Sequence, residues 1–219
     1  MPKQRNIVIA AVVGALLAGA GIGATAATIG RQSDSAVDMP QFDEMPAGMT
    51  SGSAMSGMMG MSDMAVADEF SFLAMMIPHH EEAITAAEVL KAGTDRPEMR
   101  EFAQSIIDTQ TREVVQMRTW LAAWYPGRDT SVDYTPMMRD LTGLQGDALD
   151  RAFLDDMIPH HMAAVMMSQQ LLSSGLADHT EVEPFAQTIR DAQRAEIMTM
   201  HGWLADWFGV SGMSSGMSH

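Results

Sequence analysis

The sequence predicts an all-α protein, a four-helix bundle made of two repeated helical hairpins. The first observation behind this prediction is an internal repeat, because the segment Met75-Met76-Ile77-Pro78-His79-His80 returns as Asp156-Met157-Ile158-Pro159-His160-His161. The second is that four stretches space their apolar residues three and four positions apart, as amphipathic helices do. The third is that no stretch alternates apolar and polar residues convincingly, as a half-buried strand would.

The repeat extends well beyond the histidine motif. The matched pairs are Phe72 and Phe153, Gln104 and Gln187, Gln110 and Gln193, Glu113 and Glu196, Met117 and Met200, Trp120 and Trp203, and Trp124 and Trp207. Positions 79 and 160 are 81 residues apart and positions 120 and 203 are 83 apart, so a short insertion separates the two blocks. Such self-similarity predicts two copies of one structural unit.

Composition narrows the class of protein. A chain of 219 residues with 47% apolar residues suffices for one domain with a buried core and some appendages. The formal charge of −15 argues against a nucleic-acid partner, because phosphate binding needs a basic surface. There is no cysteine, which rules out disulfides and thiolate metal sites, whereas the 23 methionines far exceed ordinary usage.

Residues 1–31 predict export from the cytoplasm. Lys3 and Arg5 precede an uncharged run over 7–29, and Ala24-Thr25-Ala26 offers a small-residue cleavage pattern. The run is longer than the roughly 7–15 residues of an ordinary signal-peptide core and reaches the about 20 that span a bilayer. Two interpretations therefore remain open. The segment is either a cleaved signal peptide or a retained transmembrane anchor that leaves the rest of the chain in the periplasm or at the cell surface.

Residues 32–67 are interpreted as a disordered, methionine-rich linker, because Gly, Ser, Asp and Met dominate them without periodicity. Its methionines include Met58, Met59, Met61 and Met64, and the Met/His tail over 209–219 has the same character. Low-complexity bias is one explanation of this composition. Capture of a soft ion such as Cu(I) or Ag(I) by flexible thioethers is the other.

Turn and capping signals define the first hairpin. Its first helix is expected over about 68–91 and ends at Gly93, a candidate C-terminal cap. Its second helix is expected to begin after Asp95, whose spacing to Glu98 resembles a capping box. That helix ends near residue 125, before a Pro-Gly pair.

The second hairpin follows the same order. Its helices are expected over about 147–174, ending at Gly175, and from a cap at Thr180 with Glu183 to about 208. Short connections make each half an antiparallel hairpin, and a longer link lets the two halves pair as a bundle. The repeats cover about 68–125 and 147–208, and the bundle covers 68–208.

Histidines and methionines share faces of the first and third helices. Residues four apart face the same way, which gives the pairs Met75 and His79, Met76 and His80, Asp156 and His160, and Met157 and His161. Pro78 and Pro159 lie inside these helices, so a local kink is expected at each. A lone buried histidine is usually hydrogen-bonded, but a duplicated adjacent pair with methionine one turn earlier favours a metal site.

The second and fourth helices place a Gln and a Glu on or beside a mainly apolar face. An unpaired buried carboxylate is costly, so Glu113 and Glu196 should contact a donor or a cation, for which a nearby histidine would serve. His179 and His201 are further candidates without counterparts in the first repeat. Met117 and Met200 are either core-filling residues or metal ligands. The remaining methionines of the third helix, expected in the core, are Met162, Met166 and Met167.

The pattern M-I-P-H-H, followed by F-A-Q-x-I and Q-x-x-E-x-x-x-M-x-x-W, resembles the domain of unknown function 305 family over about 68–208. That family contains exported, ferritin-like four-helix proteins, and some members are described as copper-binding and copper-resistance proteins of the CopM type. The resemblance implies one metal site near Met76, His79, His80 and Met117, and a twin near Met157, His160, His161 and Met200. Less direct candidates are Met75, Glu113, Asp156, Glu196, His201 and the linker methionines.

Three functions compete at this point. The leading hypothesis is an extracytoplasmic metal-binding protein, not an enzyme, that sequesters or delivers Cu(I) or another soft ion. Thioether and imidazole ligands hold Cu(I) where thiols would oxidise. The second is a ferritin-like dimetal oxidoreductase, although neither histidine pair has the Glu three residues earlier that such centres use. The third is a metal-free helical module that binds an unidentified partner protein.

Overall fold

The computed structural model describes residues 66–209. The N-terminal segment, the linker with Met58, Met59, Met61 and Met64, and the tail after Gly209 lie outside the described residues. The described part forms helices α1 (Glu69–Gly93), α2 (Pro97–Trp124), α3 (Gly146–Ser173) and α4 (Val182–Phe208). Residues 66–209 contain no strand, so the all-α prediction is confirmed. Within the same range, no helix is long and apolar enough to cross a membrane.

Two antiparallel hairpins make up the bundle. Helix α1 packs along α2 and helix α3 packs along α4, while α1 and α3 pack against each other and join the two hairpins. The predicted bundle of two repeated hairpins is therefore confirmed. It begins slightly earlier than expected, since Val66 is buried in the core and its backbone is held by the side chain of Gln170.

Only α1 begins with a side-chain cap. There, Asp68 accepts a hydrogen bond from the Ser71 backbone N–H at 2.7 Å, and Ser71 accepts one from the Asp68 N–H in a capping box. The predicted cap at Asp95 is wrong, because Pro97 takes the first helical position and holds the preceding residue extended. The predicted cap at Thr180 is wrong too, since its hydroxyl donates to the Glu181 side chain instead.

Glycines have two different roles at the helix ends. Gly175 follows α3 with a φ of 60°, the left-handed cap that the sequence predicts. Gly93, predicted to have the same role, is instead the last residue of α1. A Cβ there would lie 2.7 Å from Leu149 Cδ2, so the small residue is needed because α1 and α3 approach closely at this point.

The core consists of two apolar clusters related by the repeat. The first contains Phe72, Met76, Met117, Ala164, Met167 and Ile189 among its members. The second contains their counterparts Phe153, Met157, Met200, Ala83, Ala86 and Ile106. Each cluster draws residues from both hairpins, so burying the methionines also joins the two halves. Helices α1 and α3 run without interruption through Pro78 and Pro159.

Two buried carboxylates fasten the ends of the bundle across the hairpins. Asp150 of α3 accepts a hydrogen bond of 2.5 Å from Arg96, which lies between α1 and α2. Glu69 of α1 accepts hydrogen bonds from Tyr125 and from the backbone and ring of His179, which lies between α3 and α4. His179, considered above as a partner for Glu113 or Glu196, is therefore engaged elsewhere.

Candidate metal centre

Four histidines meet where α1 packs against α3. His79, His80, His160 and His161 are all fully buried. The His79 and His160 ring centroids are 3.7 Å apart with the ring planes tilted by 32°, and the ring centroids within each adjacent pair are 6.2 Å apart. The two copies of the motif therefore form one imidazole cluster at the centre of the bundle, between the two apolar clusters.

The outer histidine of each pair is bound to a carboxylate of its own hairpin. His80 Nε2 lies 2.8 Å from Glu113 Oε2, and His161 Nε2 lies 2.6 Å from Glu196 Oε2. A carboxylate can only accept, so this hydrogen-bond network assigns the ring proton to Nε2 in both histidines. The donor expected for each carboxylate is thus a histidine.

The inner histidines have different surroundings. His79 Nε2 donates to the His160 backbone carbonyl at 3.0 Å. His160 Nε2 faces Glu82 Oε2 at 3.2 Å, close to the carboxylate but not aligned for a hydrogen bond. Burial lowers the pKa of both imidazoles, His79 most strongly because His160 lies beside it, whereas Glu82 opposes the shift at His160. Both inner rings are therefore neutral, which is the form that binds metal ions.

The other ring nitrogen, Nδ1, has no hydrogen-bond partner in any of the four histidines. The side-chain oxygens of Gln110 and Gln193, buried one turn before Glu113 and Glu196, also lack partners. A buried acceptor without a partner costs free energy of about 1–3 kcal/mol. The four Nδ1 atoms are thus buried ring nitrogens without a partner, and a metal ion bound to their lone pairs would remove this cost.

The methionines of the two predicted sites lie in the two apolar clusters. Met76 and Met117 are fully buried in one apolar cluster, and Met157 and Met200 are fully buried in the other. The structure thus brings together the four predicted histidines and buries the four predicted methionines. Among residues 66–209, no three His, Asp or Glu side chains are placed to hold a metal ion by themselves.

Of the less direct candidates, Glu113 and Glu196 contact the cluster, and the others within the described residues lie apart from it. Met75 is half-buried beside the first cluster, whereas its counterpart Asp156 is engaged by Arg139 through hydrogen bonds of 2.7 and 2.5 Å. His201 is exposed on α4, away from the buried face. Of the α3 methionines predicted in the core, Met167 is buried, but Met162 and Met166 are 39% and 48% exposed. The prediction was wrong for these two because helical spacing alone does not reveal which stripe faces solvent.

Sequence reasoning missed Glu82. This carboxylate accepts hydrogen bonds from the Tyr134 hydroxyl and from the Met137 and Met138 backbone N–H groups, the last two at 2.8 Å. Burial alone would raise the pKa of Glu82, but His160, Tyr134 and Met138 lower it below its usual value. The only sequence signal was its position three residues after His79, on the same helix face.

The family model described as "Domain of unknown function (DUF305)" matches residues 23–121, 69–204 and 150–219. A search among curated proteins found no match. Among solved structures, CopM in its Cu(I)-bound form is 35% identical with a TM-score of 0.60, and the match covers 66% of this chain and all of CopM. CopM in an Ag-bound form is 36% identical with a TM-score of 0.56, covering 64% of this chain and 96% of that one.

A DUF305 fragment from Deinococcus radiodurans is 30% identical with a TM-score of 0.56, and the match covers 65% of this chain and 98% of that one. All of these matches extend over the bundle, and the family model matches each repeat separately as well as both together. The chain therefore belongs to the DUF305 family.

Proposed function

We propose that this protein is an extracytoplasmic Cu(I)- and Ag(I)-binding protein that sequesters or delivers copper. Each site would consist of the buried histidine pair and two methionines of one hairpin, namely Met76, His79, His80 and Met117, and Met157, His160, His161 and Met200. Neutral imidazole and thioether are soft or borderline ligands that suit Cu(I). The chain has no thiolate to offer in their place.

The observation that carries this proposal is the set of four buried Nδ1 atoms without a hydrogen-bond partner. Burying an imidazole lone pair that accepts no hydrogen bond costs free energy, so core packing alone does not explain these histidines. At the same time Glu113 and Glu196 bind the opposite nitrogen of their histidines. Carboxylates in that position orient metal-binding histidines and make the coordinating nitrogen more basic.

The relatives agree with this chemistry. CopM has been solved in Cu(I)-bound, Ag-bound and Cu(II)-bound forms at 35–36% identity to this chain. A dimetal oxidoreductase would need carboxylates free to bridge two ions. Here Glu113 and Glu196 are each engaged by a histidine, which favours a thioether-rich site for a soft ion.

Export is part of the proposal, and it rests on the N-terminal segment. Lys3 and Arg5 before a long uncharged run predict translocation of the bundle out of the cytoplasm. A ligand set without thiols also suits an oxidising compartment, because thioethers resist the oxidation that would convert cysteines to disulfides. A retained segment would tether the bundle to the membrane.

Competition titration tests the proposal directly. Wild-type protein without a His tag should remove Cu(I) from a chromogenic Cu(I) chelator and bind it more tightly than Zn(II). The double variant Met76→Leu/Met157→Leu should keep its helical content, because swaps of similar volume cost under about 1.5 kcal/mol. Its affinity or stoichiometry for Cu(I) should nevertheless fall.

The matched control is Met162→Leu/Met166→Leu, which removes two exposed thioethers from α3 instead. This control should bind Cu(I) as the wild type does. Tighter binding of Zn(II) than of Cu(I) by the wild type would overturn the copper assignment. Unaltered Cu(I) binding by the folded Met76→Leu/Met157→Leu variant would show that these sulfurs only fill the core.

A further inference from the structure

The candidate ligands have no open route to solvent. All four histidines and all four methionines of the two proposed sites are fully buried. An ion can reach them only if some part of the bundle moves. The connection between α2 and α3 is the longest segment between the helices and has no helical hydrogen bonds of its own. We call residues 126–145 the strap.

The strap has few backbone bonds of its own. Within the described residues, positions 129–140 make no backbone–backbone hydrogen bond. Instead, the backbone N–H groups of Met137 and Met138 donate to Glu82, and that of Arg139 donates to Asp156 at 2.9 Å. Two side chains add to this attachment, because the Tyr134 hydroxyl donates to Glu82 and the Arg139 guanidinium donates to Asp156.

Those two carboxylates lie next to the histidine cluster. Glu82 belongs to α1 and faces His160 Nε2 at 3.2 Å, whereas Asp156 belongs to α3 one turn before His160. The Tyr134 ring of the strap lies edge-on to the His79 ring, with centroids 6.3 Å apart. The attached middle of the strap therefore covers the point where the two inner histidines meet.

The strap also places two thioethers at this position. Met137 packs against the apolar cluster that contains Met76 and Met117, and Met138 packs against the cluster that contains Met157 and Met200. Both residues are only half-buried. Adjacent residues of the strap are thus partly exposed to solvent and also contact the two apolar clusters that contain the methionines of the proposed sites, one cluster each.

From this arrangement we propose that Met137 and Met138 are entry ligands, through which a soft monovalent ion passes from solvent to the two buried sites. In the same proposal, Glu82 and Asp156 hold the strap closed. The inference rests on the proposed function, because it needs the buried sites as the destination. A segment held by a few side-chain acceptors opens far more readily than a packed helix. Thioethers on that segment bind the ion and release it by ligand exchange, without change of oxidation state.

The first test measures the transfer of Cu(I) from its bicinchoninate complex, whose colour is lost as the protein takes the ion. Met137→Leu/Met138→Leu should slow this transfer about tenfold, which corresponds to about 1.4 kcal/mol in the barrier, at an unchanged final amount. Met162→Leu/Met166→Leu removes the same number of thioethers from exposed positions outside the strap. This control should transfer Cu(I) at the wild-type rate.

The second test opens the strap. Glu82→Ala should speed the transfer, and it should increase hydrogen exchange at the amides of Met137 and Met138 in the metal-free protein. Alanine fits this position, because Ala163 is its counterpart in the second repeat. Glu81→Ala is the matched control, since Glu81 is exposed and contacts Arg118 rather than the strap.

The outcomes separate the two proposals. A wild-type protein that takes up no Cu(I) would overturn the proposed function, and this inference with it. Normal wild-type uptake with an equally fast Met137→Leu/Met138→Leu variant would overturn the entry role alone. If Glu82→Ala changes neither the amide exchange nor the transfer rate, the strap is not held by Glu82.

Discussion

At the scale of single residues, the four buried histidines share one orientation of their rings. Nε2 faces an oxygen in every case, a carboxylate for three of them and a backbone carbonyl for His79, while Nδ1 faces no hydrogen-bond partner. Helices α1 and α3 both show this arrangement, although the oxygen facing the inner histidine is a backbone carbonyl for His79 and the Glu82 carboxylate for His160. The structure therefore indicates that Nδ1, not Nε2, is the nitrogen available to an ion.

Long-range ¹H–¹⁵N NMR spectra of the metal-free protein should show His80 and His161 with the proton on Nε2. Addition of Ag(I), whose nucleus couples to nitrogen, should produce a splitting at Nδ1 of these rings. The exposed His201 serves as the internal control and should show neither a fixed tautomer nor a splitting. A silver coupling at Nε2 would contradict the assignment and would mean that Glu113 and Glu196 are displaced by the ion.

The carboxylates themselves can be tested separately. Glu113→Gln keeps an acceptor for His80 Nε2–H, whereas Glu113→Leu removes it. Since partners of metal-binding histidines typically contribute a factor of about 10–100 in affinity, Glu113→Leu should weaken Cu(I) binding by that order and Glu113→Gln by less. The measurement is competition titration at fixed pH, with circular dichroism to confirm that both variants fold. Equal losses would mean that the charge of Glu113 matters rather than its acceptor.

At the scale of helices, the sequence predicted the four elements well and their first residues less well. The apolar spacing identified each helix, and Asp68 was a correct start because no competing signal lies beside it. Asp95 failed because Pro97, two residues later, fixes the backbone more strongly than a side-chain cap can. Met162 and Met166 were misplaced for a tertiary reason, since which stripe is exposed depends on how α3 packs.

These caps lead to a stability prediction. Asp68→Ala should lower the free energy of unfolding by about 1 kcal/mol, because the first turn of α1 loses its side-chain acceptor. Thr180→Ala, at a predicted cap that the structure does not use, should stay within about 0.5 kcal/mol of the wild type. Urea unfolding followed by circular dichroism measures both. Equal effects would mean that the Asp68 hydrogen bonds add nothing to the helix.

The difference between wild type and Asp68→Ala should also depend on pH. Hydrogen bonds from Ser71 lower the pKa of Asp68 below its usual value of 3.8. A lowered folded-state pKa gives stability that is present above the unfolded pKa and is lost as the pH falls through the folded one. The two proteins should therefore converge in stability only below about pH 4. Convergence already near pH 6 would contradict this origin of the effect.

At the scale of the whole molecule, the repeat joins the hairpins to each other through contacts that the sequence did not predict. Glu69 corresponds to Asp150, and His179 corresponds to Arg96, so the same cross-hairpin pair recurs at both ends of the bundle. Because the residue types differ between the two copies, comparing the repeats residue by residue did not reveal these pairs. The metal-site candidates were found because their residue types are identical in both copies; Glu82 was not, because its counterpart is Ala163.

The methionine-rich linker gives a prediction for the full chain. Deletion of residues 32–65 should spare the proposed Cu(I) sites of the bundle and remove additional binding, because the thioethers of the linker are themselves soft ligands. The deletion must stop before Val66, whose side chain is part of the core. The measurement is the total Cu(I) bound at high ion concentration by the deletion variant and by the undeleted chain. Equal totals would show that the linker captures no ion.

The cross-hairpin pair of Arg96 and Asp150 should be critical for stability because the carboxylate is fully buried. Arg96→Met keeps the aliphatic length but leaves Asp150 without its cation, a loss that costs about 3–5 kcal/mol in comparable buried pairs. Asp147, the other partner of Arg96, is 78% exposed. Asp147→Ala should therefore lower the free energy of unfolding by about 1 kcal/mol or less.

The double variant Arg96→Met/Asp150→Asn distinguishes the cause. This variant removes the uncompensated charge of Asp150 as well as the cation. It should be more stable than Arg96→Met alone, because the buried, desolvated carboxylate accounts for most of the lost free energy of unfolding. Urea unfolding of the four proteins gives the comparison. If the double variant is no more stable than Arg96→Met, the packing of Arg96 over Trp207, at 4.5 Å, is what joins the hairpins at this end.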